Sequence, residues 1–121
     1  MSGNPYPKHH QLAQEARRTF RRKATPTEWS KLRDLKRGPC RCCGSSFSGL
    51  HHVVFRSHGG DDVAANLVPL CTVCHELVHK RDRETCVRLV MMLRDEEYLY
   101  AVLKCGEPVW ERVYGVTYER P

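Results

Sequence analysis

The pattern that most narrows what this chain can become is a doubled Cys-x2-Cys step: Cys40 and Cys43, followed at once by Gly44, then Cys71 and Cys74. Each step can set two thiolates on one tetrahedral zinc ion, and four such sulfurs close a structural site. Residues 44–70 must then loop out between the two halves of the knot, a longer excursion than a simple zinc ribbon has. Cys42 competes with Cys43 for the ligand position, but the two-residue spacing and the trailing glycine favour Cys43. Cys86 falls on a predicted helix and Cys105 at a helix end, so both read as core or surface thiols. A chain of 121 residues suffices for one compact domain with a modest core, in which a metal staple matters for stability.

Seven cysteines would also suit a secreted disulfide scaffold. The first residues, MSGNPYPKHHQ, are polar and carry no apolar signal segment, so the expectation is a cytoplasmic protein whose thiols are reserved for metal. The most apolar segment, CVRLVMML, is too short to span a bilayer and is flanked by charge, so no membrane role is expected.

The net charge of +6 is unevenly placed. Residues 1–41 hold eleven Lys/Arg against three Asp/Glu, whereas residues 42–121 hold nine against eleven. The run ARRTFRRK concentrates Arg17, Arg18, Arg21, Arg22 and Lys23, which suits a polyanion such as a nucleic-acid backbone; the plain alternative is a solvated helix face or basic tail.

Three regions follow. Residues 1–24 form a basic N-terminal arm, expected to be helical from Lys8 to Lys23. Residues 25–106 form the main domain, with a zinc-binding core at 40–80. It opens with a capping box at Thr25, Pro26 and Glu28, heading a helix expected to bury Trp29, Leu32 and Leu35 and to stop at Gly38-Pro39. A two-stranded hairpin with an irregular connection follows. Thr72 is expected to cap a helix through VCHELVHKR. Asp82 is expected to cap another, carrying Val87, Val90, Met91, Tyr98 and Val102 inward, with a break near Asp95 and an end at Gly106. Residues 107–121 are expected to pack on the domain as an extended segment.

A second ligand set consists of histidines. His75 and His79 stand four apart on one helix face, in the geometry of a metal clip. With a third ligand from the hairpin they would leave coordination positions open, as catalytic sites do. His51 and His52 are adjacent where a strand is predicted, so their side chains diverge. One of them can turn to a cation while the other stays free as a base near neutral pH.

The stretch LHHVVFRSHGGDDVAANLVPLCTVCHELVH resembles the signature of zinc-knuckle HNH endonucleases, with its paired histidines, Gly-Gly-x-Asp turn, NLVPLC run and helix histidines. The likeness runs from Cys40 to His79, and a basic helical lead-in is common in small phage-type members. It implies an α+β fold in which a treble-clef-like ββα-metal motif is built around a four-cysteine zinc site and flanked by helices. His52 would be the general base and His51 a ligand of the catalytic cation. Asn66 would brace the loop that holds His52, His75 would bind the cation, and His79 matches an additional ligand found in some members. Many members have aspartate where this chain has His51, so an all-histidine set shifts preference from magnesium toward zinc, nickel or manganese. The implied activity is metal-dependent DNA phosphodiester hydrolysis giving 5′-phosphate and 3′-hydroxyl ends, on double-stranded DNA, by a monomer or weak dimer. Arg56, Lys80 and Arg81 lie close to the site in sequence and can hold neighbouring phosphates, or be plain surface charges. His58 is given a loop role. The rival readings are a zinc-dependent module that binds DNA without cutting it and a nuclease acting on RNA. A pure binder has no use for His52, Asn66 and His75 together.

Overall fold

A computed structural model describes residues 21–47 and 49–121. Arg17, Arg18 and most of the expected basic helix lie outside these residues, and its described end, residues 21–23, is not helical. The described elements are α1 (Pro26–Lys36), β1 (Gly49–His52), β2 (Leu67–Leu70), α2 (Thr72–His79), α3 (Arg83–Met91), α4 (Asp95–Cys105) and α5 (Val109–Tyr114). Two short 3₁₀ turns, Arg56–His58 and Ala64–Asn66, lie between the strands.

Helix α1 opens on its capping box. Thr25 Oγ1 accepts from the Glu28 N–H at 3.2 Å, and a Glu28 carboxylate oxygen accepts from the Thr25 N–H at 3.1 Å. It ends at Lys36, short of Gly38-Pro39. Its burial departs from the apolar periodicity: Trp29 and Leu32 are half-buried, Leu35 is 68% exposed, and Lys36 is the residue that turns in. The cause lies on α4. Glu97, fully buried, accepts from Lys36 Nζ at 2.5 Å, from Arg41 at 2.6 and 3.2 Å, and from the Arg94 N–H at 2.7 Å. A charge is tolerated in the interior only when paired and hydrogen-bonded, and this carboxylate gathers α1, the first cysteine turn and the head of α4. Burial pushes the Glu97 carboxyl up, but the bonds from Arg41 and Lys36 outweigh it and hold its pKa below the ordinary glutamate value.

Strands β1 and β2 pair antiparallel, with Gly49 opposite Leu70 and His52 opposite Leu67. The Arg41 N–H donates to the Pro69 carbonyl at 2.9 Å, which docks the turn bearing Cys40 and Cys43 onto β2. Gly44 closes that turn at φ 78°, a left-handed conformation natural to glycine. Its N–H donates to the Cys40 carbonyl at 2.8 Å.

The cap of α2 is Cys71, not Thr72: the Cys71 sulfur accepts from the Cys74 N–H at 3.4 Å, and Thr72 is the first helical residue. A candidate zinc-ligand position and a helix cap thus coincide. Asp82 caps α3 by accepting from the Thr85 N–H at 3.1 Å. The expected break near Asp95 divides α3 from α4, and Gly106 ends α4 at φ 70°. Met91, expected to face inward, is 58% exposed, because Cys86, Leu89 and Val90 fill the inner face of α3.

The tail is not simply extended. Val109–Tyr114 is helix α5, and Val109, Trp110, Val113 and Tyr114 are all buried, at the i, i+1, i+4, i+5 spacing of one helical face. The four apolar residues of VWERVY satisfy a 3.6-residue period, and an extended chain would have exposed half of them. Beyond Gly115, Arg120 reaches Asp95 at 2.8 Å and lies 4.2 Å from the centroid of the Tyr98 ring. No described helix is long and apolar enough to cross a membrane.

Candidate active site

The folds of both cysteine turns bring the thiols of Cys40, Cys43, Cys71 and Cys74 within 4.8 Å of one another. The Cys43 and Cys71 sulfurs are 3.7 Å apart, which fits the edge of about 3.8 Å expected of a tetrahedron with ~2.3 Å Zn–S bonds. Cys42 stays out of this cluster, buried, with burial foremost in pushing its thiol up to about 12. Ser45 acts the other way on two of the four: its hydrogen bonds lower Cys43, and with the Cys74 N–H they bring Cys71 down to about 6. Burial and bonds to the neighbouring sulfurs push Cys74 up. The four thiols therefore fit a zinc ion, which takes them as thiolates.

The histidines form a second group. The side chains of His51 from β1 and His75 and His79 from α2 bring one nitrogen each within 4.8 Å of the others, and His75 Nε2 lies 3.0 Å from His79 Nε2. His51 is 1% exposed, His75 half-buried and His79 exposed, so the group opens to solvent on the α2 side. Burial, then the neighbouring histidines, holds His51 well below the ordinary histidine range, and burial followed by His79 lowers His75. Neutral rings with free lone pairs are what a cation needs. Residues 40–81 match the family model of the HNH endonuclease. No curated protein and no solved structure matches the chain. The two-stranded sheet and the helix after it, beside a four-cysteine cluster, thus carry an HNH α+β fold over residues 40–81.

Within this HNH segment, His52 points away from the other three. Its Nε2 lies 2.8 Å from Asp62 Oδ1; since a carboxylate only accepts, Nε2 is the protonated nitrogen and Nδ1 keeps its lone pair. Burial, opposed by the Asp62 bond, lowers the His52 pKa, so the ring is neutral at pH 7. Asp62, 5% exposed, also accepts from Arg21 and from the Ala24 N–H at 2.9 Å, bonds that keep it ionised although burial opposes this. Asn66 is fully buried. It accepts from the Val54 N–H at 2.8 Å and donates to the carbonyls of Val54 and Asp61, each at 3.0 Å, tying down both ends of the loop that leaves β1.

One partner comes from outside the HNH segment. Tyr114 of α5 donates its single hydroxyl proton to the Val53 carbonyl at 2.6 Å, so at 3.0 Å from His51 Nε2 its oxygen accepts. His51 therefore carries its proton on Nε2 and offers Nδ1 to a cation.

The four histidines share a pocket of about 980 Å³ with Arg33, Arg37 and Arg56, and Trp29 lines it as well. Arg56 lies over the Trp29 ring at 5.4 Å. Lys80 and Arg81 do not line this pocket; the Arg81 guanidinium donates to the Arg112 carbonyl at 3.3 Å. Arg22 is paired with Glu28 at 2.7 Å and Lys23 is exposed. Reading the chain alone missed Asp62, Tyr114, Arg33 and Arg37. For the arginines a signal existed: Trp29, Arg33 and Arg37 recur every fourth residue, one stripe along α1 and its end.

Proposed function

We propose that this protein is a metal-dependent DNA endonuclease that hydrolyses phosphodiester bonds to 5′-phosphate and 3′-hydroxyl ends. The observation that carries the reading is the division of labour among four neighbouring histidines: three bring their nitrogens together, and the fourth, held by a carboxylate, lines the same pocket. His51, His75 and His79 would hold a divalent cation, and Cys40, Cys43, Cys71 and Cys74 a structural zinc. Bound there, a divalent cation such as zinc, nickel, manganese or magnesium supplies Lewis-acid stabilisation of charge on the phosphate and the leaving oxygen. His52 Nδ1 takes the proton from the attacking water, and Asp62 fixes the ring and favours the imidazolium that results. Asn66 keeps the backbone after His52 in register. Arg33, Arg37 and Arg56 offer charge to the phosphates flanking the scissile one. A module that only bound DNA would gain nothing from burying a His–Asp pair beside a cation site.

The test is plasmid cleavage by protein stripped of its labile cation and resupplied with one metal at a time, alongside His52→Ala and His51→Ala. His52→Ala is expected to lose ~10²- to 10⁴-fold in rate while still taking up the cation. His51→Ala is expected to lose cation affinity as well. Cation loss in His52→Ala instead would reverse the two roles, undiminished cutting by both would overturn the assignment of the site, and a wild type that cuts with none of the metals would sink the nuclease reading.

A further inference from the structure

Behind Arg56, a second pocket of about 580 Å³ opens next to the histidine pocket, sharing Arg56 and Ser57 with it as a common wall. Arg21, His58 and Arg112 line its other sides, and no carboxylate is among the described residues lining it. Two of its arginines already lean on one anion, since Asp62 is bonded to Arg21 and lies 3.8 Å from Arg56 Nε. Arg112 differs. It has no ion pair among the described residues, and its guanidinium meets only the Glu107 carbonyl, at the long distance of 3.5 Å. Among the described residues the Nε of Arg21 is buried without a hydrogen-bond partner. Buried donors of this kind are rarely left without an acceptor. Three guanidiniums line the pocket while one carboxylate, Asp62, meets two of them, so the pocket is short of negative charge among the described residues, and forked donors suit phosphate oxygens.

We infer that this pocket, formed by Arg21, Arg56, His58 and Arg112, is a second phosphate-binding subsite, which holds a backbone phosphate of the strand whose neighbouring phosphate lies at the histidines. It rests on the nuclease reading for its occupant, but it places a contact on α5, outside the HNH segment. Arg56 stands between the two pockets and touches both phosphates. The strand thus runs from the end of α1, past Arg56, toward the start of α5.

The experiment compares wild type, Arg112→Ala and Lys31→Ala, all zinc-loaded and with the cleavage cation withheld, for binding to a labelled DNA duplex over a salt series. Lys31 is exposed and lines neither pocket, so its variant reports the effect of one lost charge by itself. Arg112→Ala is expected to weaken binding and to reduce the salt slope by ~1, with zinc content and thermal midpoint at the wild-type level. Lys31→Ala should change the slope less. An Arg112→Ala slope equal to that of wild type, or of Lys31→Ala, overturns the subsite. A titration with inorganic phosphate separates the sources of the anion: phosphate binding that depends on Arg112, together with an unchanged DNA slope, would make the ligand a free phosphate and overturn the backbone assignment. Metal-dependent cutting by the wild type is scored separately, so a protein that binds DNA through Arg112 without cutting it fails only the nuclease reading.

Discussion

Tyr114 has an effect larger than its single hydroxyl suggests. It is buried, 63 positions from His51, and its oxygen decides which imidazole nitrogen would be left for a cation. Tyr114→Phe would leave both the His51 Nε2–H and the Val53 carbonyl short of a partner. The expected result is a loss of ~10- to 100-fold in affinity for the cleavage cation and roughly 1–3 kcal/mol of stability; calorimetric titration and thermal unfolding read these separately. Acid should act through the same group of side chains. His51, His52 and His75 all have folded pKa values depressed below 6.5, chiefly by burial. Above 6.5 the rings are neutral in both states and their contribution to stability is complete. As pH falls below it the unfolded chain takes up protons that the folded site resists, and stability is lost progressively down through the folded pKa values. Protons also compete with a bound cation, so the sign is the same with metal present. Thermal midpoints between about pH 8 and about pH 5 should therefore fall on acidification, and a His51→Phe, His75→Phe double variant should fall less steeply.

Among the elements, the loop between β1 and β2 tolerates least. A Cβ on Gly60 would stand 1.7 Å from the Val54 carbonyl oxygen and 2.9 Å from Asn66 Nδ2, so Gly60→Ala must break the bonds by which Asn66 closes the loop. Backbone displaced there moves His52, and the expected outcome is a folded, zinc-loaded protein that has lost cleavage; retention of full rate would mean that the loop can shift without cost to the site. The cysteine turns should respond differently. Because Cys71 is both a zinc-ligand position and the cap of α2, Cys71→Ser should lose zinc and helical circular dichroism together, since a structural zinc contributes folding free energy directly. Much of this was open to a reading of the chain alone. The two Cys-x2-Cys steps, the Thr25–Glu28 box and the Asp82 cap are patterns within a few residues, where local geometry decides. Leu35 was misjudged because the partner that draws its neighbour Lys36 inward, Glu97, lies 61 positions from Lys36. Asp62 was passed over for a related reason: an acidic turn residue looks solvated until His52, Arg21 and the Ala24 N–H are seen around it. Helix α5 was missed through its shortness, six residues whose period is visible only once their burial is known.

For the molecule as a whole, the first described residues are tied to the loop after β1. Arg21 and the backbone of residues 22 and 24 are bonded to Asp62 and Asp61. Removing residues 1–20 should therefore leave the His52–Asp62 pair intact while taking away Lys8, Arg17 and Arg18, so DNA affinity and its salt slope should fall with zinc content unchanged. An unchanged slope would make those cations solvated charges. Asp61 and Asp62 also settle how portable the chemistry is. Asp62 answers to residues that precede the HNH segment. Asp61 accepts from the Tyr100 hydroxyl at 2.5 Å and pairs with Lys104 at 3.1 Å, both on α4 beyond it. A cassette cut at residues 40 and 81 and spliced into a foreign host would carry every candidate ligand but none of these outer holds, nor Tyr114. Such a graft should still take up zinc through its four cysteines, yet leave His51 and His52 free to turn, so that borrowing this candidate centre means borrowing its neighbours on both sides.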